Sequence, residues 1–317
     1  MSLSLNHHQP AKFLTPAIAL PFALVALIWG STWWVITTQL AAIPAAWSVT
    51  IRFVLATPAM ALLALITGKS LKISGKAHRL ALVVGVSQFC GNYMFVYEAE
   101  RHLTSGIVAV MLGLLLVPNA VLGRFWLGQP ITRRFLVGSA IAIAGIALLL
   151  VNEARVGSAG AGGAGEGRVW LGVALAVGGL FAASVANVVQ ANETGRSVPM
   201  VSLLAWSMLY GTIIDAVLAW ITTGPPVLPR DPAYWAGTAY LALAGSVVTF
   251  PLYFTLVRQL GAGRAAYNGV ASIVLAMLLS TLLEGYGWTA LAVSGSALAL
   301  AGLVIALRAR SPAAKSE

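Results

Sequence analysis

The chain has 317 residues, 59% of them hydrophobic and 9% charged, with a mean hydropathy of +0.88. A water-soluble globule of this size cannot bury so much apolar side chain and still present a polar exterior, so that class is excluded. The net charge of +10 does not point to nucleic acid, because the Lys and Arg residues are spread over short loops between apolar runs and form no single patch.

Ten apolar stretches follow one another, at about 18–38, 46–67, 79–97, 104–122, 135–152, 169–190, 200–222, 233–257, 265–283 and 288–307. Each is long enough to cross a hydrocarbon core about 30 Å thick. Backbone groups in lipid must be satisfied within the segment, so the spans are expected to be helices, and the period-two alternation of a β-barrel is absent. Lys12 precedes the first span, but the bulky Trp33-Trp34 pair and the span's length argue against a cleaved signal peptide. Cys90 is the single cysteine, which rules out an internal disulfide. Counting Lys and Arg by alternate loops puts Lys12, Lys69, Lys72, Lys76, Arg79, Arg124, Arg133, Arg134, Arg196, Arg258, Arg264, Arg308, Arg310 and Lys315 on one side. The other side holds Arg52, Arg101, Arg155, Arg168 and Arg230. The richer side is expected to be the cytoplasm, which places both termini there.

Between spans five and six, Gly157 to Gly165 reads as a flexible tether near the middle of the chain. A shift of 157 residues superposes the two halves. Arg101, Leu103, Gly106, Ala109, Val117, Leu122, Gly128 and Thr132 fall on Arg258, Leu260, Gly263, Ala266, Val274, Leu279, Gly285 and Thr289. Gly138, Ser139 and Ala140 land on Gly295, Ser296 and Ala297, and Gly145 lands on Gly302. Five spans per half is an odd number, so the copies are expected to lie inverted in the membrane, as in many transporters. The expected organisation is a cytoplasmic tail over 1–17, a first repeat over 18–152, a periplasmic linker over 153–168, a second repeat over 169–307 and a cytoplasmic tail over 308–317.

Ile28-Trp-Gly-Ser-Thr-Trp33 in the first span and Arg52-Phe-Val-Leu-Ala56 in the second resemble the opening motifs of the EamA family of the drug/metabolite transporter superfamily. Leu127-Gly128, followed by Gly138 and Gly145, is similar to that family's motif between spans four and five. The Trp-rich first span is most similar to YddG-type exporters of aromatic and other amino acids. The resemblance implies an all-α, ten-helix inner-membrane exporter of amino acids, with broad specificity for aromatic and large neutral side chains and for aromatic cationic drugs. Another small metabolite, such as a nucleotide sugar or a carboxylate, is the alternative cargo. Two departures stand out: Gln129 replaces the Glu frequent after Leu-Gly, and the image of Pro118 is Leu275.

Polar and aromatic residues inside spans are the candidates for a substrate cavity. Span one offers Trp29, Thr32 and Trp33 at helical spacing. Span three offers Gln88 and Asn92, four residues apart, and span four Met111 and Asn119. Span six has Ser184 and Asn187, span eight Thr249 and Tyr253, and span nine Tyr267, Asn268 and Ser272. Aromatic rings would stack the apolar part of a substrate while the amides hold its polar head. The same residues would serve equally well as glue between helices. Pro118 breaks a backbone bond in span four and reads as a gate or as a static kink. Asp215 in span seven is expected to pair with Arg52 rather than to carry a proton. The paired glycines of spans five and ten read as a scaffold or dimerisation face. No metal, cofactor or catalytic set is expected, since all four histidines lie in the tail or at span ends and Asp215 has no acidic partner. The expected partners are a small-molecule substrate and the lipid bilayer, with the protein a monomer or homodimer.

Overall fold

The computed structural model describes residues 15–159, 165–226, 228–260 and 265–310. Helices occupy all ten expected stretches: α1 (Pro16–Leu40), α2 (Ala45–Ile66), α3 (Gly75–Ala99), α4 (Ser105–Leu127), α5 (Arg133–Ala159), α6 (Gly165–Val189), α7 (Met200–Thr223), α8 (232–260), α9 (Tyr267–Leu283) and α10 (Ala290–Arg310). Among the described residues nine helices are long and apolar enough to cross a membrane, and α9 is a tenth apolar helix of 17 residues. Both α5 and α6 reach into the expected 153–168 linker, and 160–164 lie outside the described residues.

The helices pack with a twofold pattern. Contacts of α1 with α9 match those of α6 with α4, α2 with α8 match α7 with α3, and α1 with α8 match α6 with α3. The pairs α2–α7, α4–α9 and α5–α10 map onto themselves. In the last pair a Cβ on Gly145 would collide with the backbone of Ala299, and one on Gly302 with that of Ala142. Adding 157 to 145 and subtracting it from 299 converts the first contact into the second. As residue number rises along α5 it falls along α10, so the exchange axis crosses two antiparallel helices. Sequence offset and three-dimensional symmetry are therefore the same relation. These glycines are consumed inside the chain, which removes them as a dimerisation face: close backbone approach holds α5 to α10.

Local distortions are placed by the sequence. Both α3 and α8 widen to π-helix, over Gly85–Asn92 and Tyr240–Val248. The first segment shifted by 157 is 242–249, so the two widenings are repeat equivalents. In α4 the helix breaks after Gly113 and resumes at Leu116. Pro118 has no N–H to donate to the carbonyl of Leu114, four residues earlier, and its ring crowds that carbonyl. Its image Leu275 lies in the unbroken α9. The break is the main departure from symmetry, and it follows from one residue.

Candidate functional site

Seven aromatic rings form a continuous path through the bundle. Tyr253 lies 5.0 Å from Trp29, Trp29 5.9 Å from Phe250, and Phe250 6.2 Å from Phe89. Phe89 stacks on Tyr93 at 6.4 Å, Phe53 sits between them at 5.2 and 4.8 Å, and Tyr97 follows Tyr93 at 6.3 Å. The π-widened segments of α3 and α8 supply or adjoin most of these rings, in keeping with the frequent occurrence of π-bulges at functional sites.

Arg52 lies on this path and is 2% exposed. Its Nη1 donates to the Tyr97 hydroxyl at 3.0 Å, and Nη2 donates to Ser246 Oγ at 3.1 Å. The guanidinium stands 4.7 Å from the centre of the Tyr93 ring, a cation–π contact. Among the described residues Nε has no partner, and no carboxylate lies within 4.0 Å of the group. The expected pair with Asp215 is therefore not formed. Asp215 is fully buried in α7, and its polar neighbour is the Cys90 thiol of α3. Arg52 was led elsewhere because α8 brings Ser246 and α3 brings Tyr97 to the same point, contacts that no local spacing announces.

Trp29 and Thr32 meet the Arg52 site through Gly245. The Trp29 indole donates to the Gly245 carbonyl at 3.3 Å, and Thr249 Oγ1 donates to the same oxygen at 2.8 Å. A Cβ on Gly245 would fall 2.9 Å from Thr32 Cγ2 and 3.4 Å from Arg52 Nη2, so glycine permits the close approach of α1, α2 and α8. Trp29, Thr32, Thr249 and Tyr253 are thus brought together. Phe53, Phe89, Tyr93, Phe250 and Arg52 join them and were missed as candidates. The repeat offset held a signal for one pair, since Tyr93 and Phe250 are images of each other.

The other candidates scatter. Gln88 Nε2 donates to Asn92 Oδ1 at 3.0 Å, and Asn92 Nδ2 donates to the Gly179 carbonyl at 2.9 Å, tying α3 to α6. Asn268 Nδ2 donates to the Phe22 carbonyl at 2.6 Å, and Ser272 Oγ donates to the Asn268 carbonyl at 3.0 Å. Oδ1 of Asn268, Oδ1 of Asn119 and Oγ of Ser184 are buried without partners. Met111 is buried in the core, and half-buried Trp33 packs against the same cluster. Tyr267 is half-buried at the start of α9, while Asn187 is exposed. Asn92→Ala is expected to lower stability by about 1–3 kcal/mol, the cost of an unmade buried bond, and Asn187→Ala to leave it unchanged; melting of the purified variants checks both.

Between α4 and α9 the bundle is closed at one end. Gly106 abuts Met277 and Ser280, and Gly113 abuts Ile273, but a Cβ on Gly269 one turn further along α9 would meet nothing within 4 Å. At the closed end, Glu284 accepts from the Ser105 backbone N–H at 3.1 Å and from the Ser105 hydroxyl, and Ser280 Oγ donates to it at 3.1 Å. Glu153 of α5 accepts from Thr104 N–H at 3.1 Å and from Thr104 Oγ1 at 2.9 Å. Two carboxylates thus cap the α4 N-terminus by accepting from the Thr104 and Ser105 amides, where the helix dipole favours negative charge. Tyr286 is buried beside them, its phenol pushed up to about 12 by burial first and by Glu153 second.

Two shallow apolar grooves lie on the flanks, one including Val117, Pro118, Val121 and Ile143, the other Val274, Leu278 and Leu300. They are approximate repeat images of each other and do not include the Arg52 site.

The model of the EamA-like transporter family matches residues 17–151 and again 170–308. The chain belongs to the EamA-like transporter family. That membership makes it a membrane transporter rather than an enzyme. Protein PagO of Salmonella typhimurium is 21% identical over 270 residues, covering 85% of this chain and 86% of that protein. The uncharacterized inner membrane transporter YedA of Escherichia coli K12 is 26% identical, covering 86% of this chain and 84% of its own. Protein PecM of Dickeya dadantii is 26% identical, with 88% of each chain covered. A solved crystal structure superposes on 90% of this EamA chain and 95% of its own length with a TM-score of 0.65 at 19% identity, a likeness of fold alone.

Proposed function

We propose that this EamA protein is an inner-membrane exporter of amino acids with aromatic or large neutral side chains. It would work by alternating access between two inverted five-helix halves, with both termini in the cytoplasm. The inner membrane agrees with the printed name of YedA, and the orientation with the excess of Lys and Arg on the side of the tails. The observation that carries the substrate is Arg52: a buried guanidinium with an unpartnered Nε, set among aromatic rings. A carboxylate completes its hydrogen bonding and balances its charge, and a planar or bulky apolar side chain lies against Trp29, Tyr93 and Phe250. Thr32 and Thr249 border the head group. Gln88, Asn92, Asn119, Ser184, Asn268 and Ser272, with Trp33, Met111 and Tyr267, line the route or fasten its walls. The α4 break above Pro118 is the flexible point of the gate.

The same cation disfavours aromatic cationic drugs, because a second positive charge beside a desolvated guanidinium is repelled. A simple aromatic carboxylate fits the alternative reading better than a nucleotide sugar, whose two phosphates need more than one positive group.

Proteoliposomes loaded with labelled phenylalanine or tryptophan should lose label faster than protein-free liposomes. Phenethylamine, which lacks the carboxylate, should leak equally from both. Equal loss of phenylalanine from both preparations ends the amino-acid reading.

A further inference from the structure

The closed end between α4 and α9 contains a feature that amino-acid export does not require. Glu100 follows α3 directly, is 8% exposed, and neither of its carboxyl oxygens has a hydrogen-bond partner. We propose that Glu100 is a proton-binding site built into this closure, occupied by a proton when α4 and α9 are joined and empty when they part.

Each element packed around Glu100 contributes to the balance. Glu284 from the end of α9 faces it with a second carboxylate, held in place by Ser105 and Ser280. Arg52 from α2 pulls the other way, but its Nη1 and Nη2 donate to Tyr97, one turn before Glu100, and to Ser246 rather than to Glu100. In the last turn of α3, Glu98 pairs with Arg101 at 3.4 Å and His102 at 3.7 Å, and the His102 Nδ1 is buried without a partner. Glu153 of α5 is committed to Thr104, and Tyr286 beside it is a neutral phenol. Burial first and Glu284 second hold the Glu100 carboxyl well above the usual carboxylate range, and Arg52 offsets only part of this. A buried carboxylate without donors is among the costliest groups in a protein, and it takes up a proton instead.

The direction of the effect follows by linkage. In the open form Glu100 meets water and titrates near the ordinary value of about 4.3. The closed form binds the proton more tightly, so acid favours closure. The stability of the closed form is complete below the ordinary carboxylate range and is lost as pH rises through the raised value. An ionised Glu100 facing Glu284 then pushes the 100–104 loop away from α9. Under the orientation proposed above, this end faces the periplasm, so a proton taken from outside resets the gate. None of this depends on which solute is carried.

The test is a distance measurement that needs no substrate. In a Cys90→Ala background, spin labels are placed at Arg101→Cys and Gly287→Cys, in the two loops that flank the closure; both positions are exposed, and a Cβ at Gly287 meets nothing within 4 Å. Electron resonance in lipid nanodiscs from about pH 5 to pH 9 spans the range to which buried carboxyls shift. The label separation should be short in acid and lengthen in alkali. Glu100→Gln, a permanent mimic of the protonated form, should hold it short throughout, and Glu284→Gln, which removes the charge that helps to hold the Glu100 carboxyl protonated, should move the midpoint to lower pH. A separation independent of pH in the parent, or a pH response that survives Glu100→Gln, overturns the proposal. Should Glu100→Gln not fold, the parent alone decides: a protonated-carboxyl infrared band must be present at neutral pH and fade in alkali, and its absence refutes the site.

Discussion

Gly302→Leu and Gly145→Leu should each leave almost no monodisperse protein when membranes are extracted and the extract is followed by fluorescence-detected size exclusion. In both cases the new side chain begins where a backbone already lies: Ala142 for Gly302, Ala299 for Gly145. Backbone cannot rotate aside as a side chain can, so α5 and α10 must separate. Among the described residues, their contact is the most extensive between any two helices. Overpacking in a core costs about 1–3 kcal/mol when side chains absorb it, and the loss here should exceed that range. Given total stabilities of about 5–15 kcal/mol, either substitution removes a large share of the fold. Gly287→Leu is the control, since a Cβ there meets nothing within 4 Å, and it should extract as the parent does. Twofold symmetry adds a sharper expectation: the two glycines are images of each other, so their leucine variants should fail to similar degrees. Normal extraction of Gly302→Leu would contradict the antiparallel α5–α10 contact.

The contact just described was legible in the sequence, and Arg52's place was not. An offset of 157 pairs Gly145 with Gly302, and glycines repeated at one offset mark where helices touch. The apolar runs likewise located the helices, because the bilayer demands length and hydrophobicity from every span. Facing is another matter. A helix in lipid is apolar on all sides, so there is little periodic signal to say which side meets protein. Asn187 and Asn92 looked alike as mid-span amides, yet one is exposed and the other holds Gly179. Scarcity of opposite charge within the spans pairs Arg52 with Asp215, whereas its actual partners lie 45 residues away in the chain at Tyr97 and 194 away at Ser246. The use of Glu284 as a cap for α4 depends on a contact across 179 residues. The break in α4 sits between these cases: Pro118 was visible, and the structure adds that Leu114, four residues back, is where the helix yields.

Arg52→Lys and Arg52→Gln should weaken phenylalanine binding by about 30-fold to a few thousand-fold, the range for removing one partner of a desolvated, hydrogen-bonded charge pair. Lysine keeps the charge but loses the fork that serves Tyr97, Ser246 and a carboxylate together, so it is expected to restore little. Both variants lose contacts to α3 and α8, and some destabilisation is expected; calorimetric titration is therefore read only on monodisperse protein. The decisive reading is the pattern over ligands. In the parent, phenylalanine should bind and phenethylamine should not. In the variants the two should become alike, because the group that distinguishes them has gone. A purely structural Arg52 would lower the amount of folded protein and leave that discrimination intact in the fraction that folds. If the folded variants still prefer phenylalanine by the parent's margin, the carboxylate is held elsewhere, and the buried guanidinium serves only to tie α2 to α3 and α8.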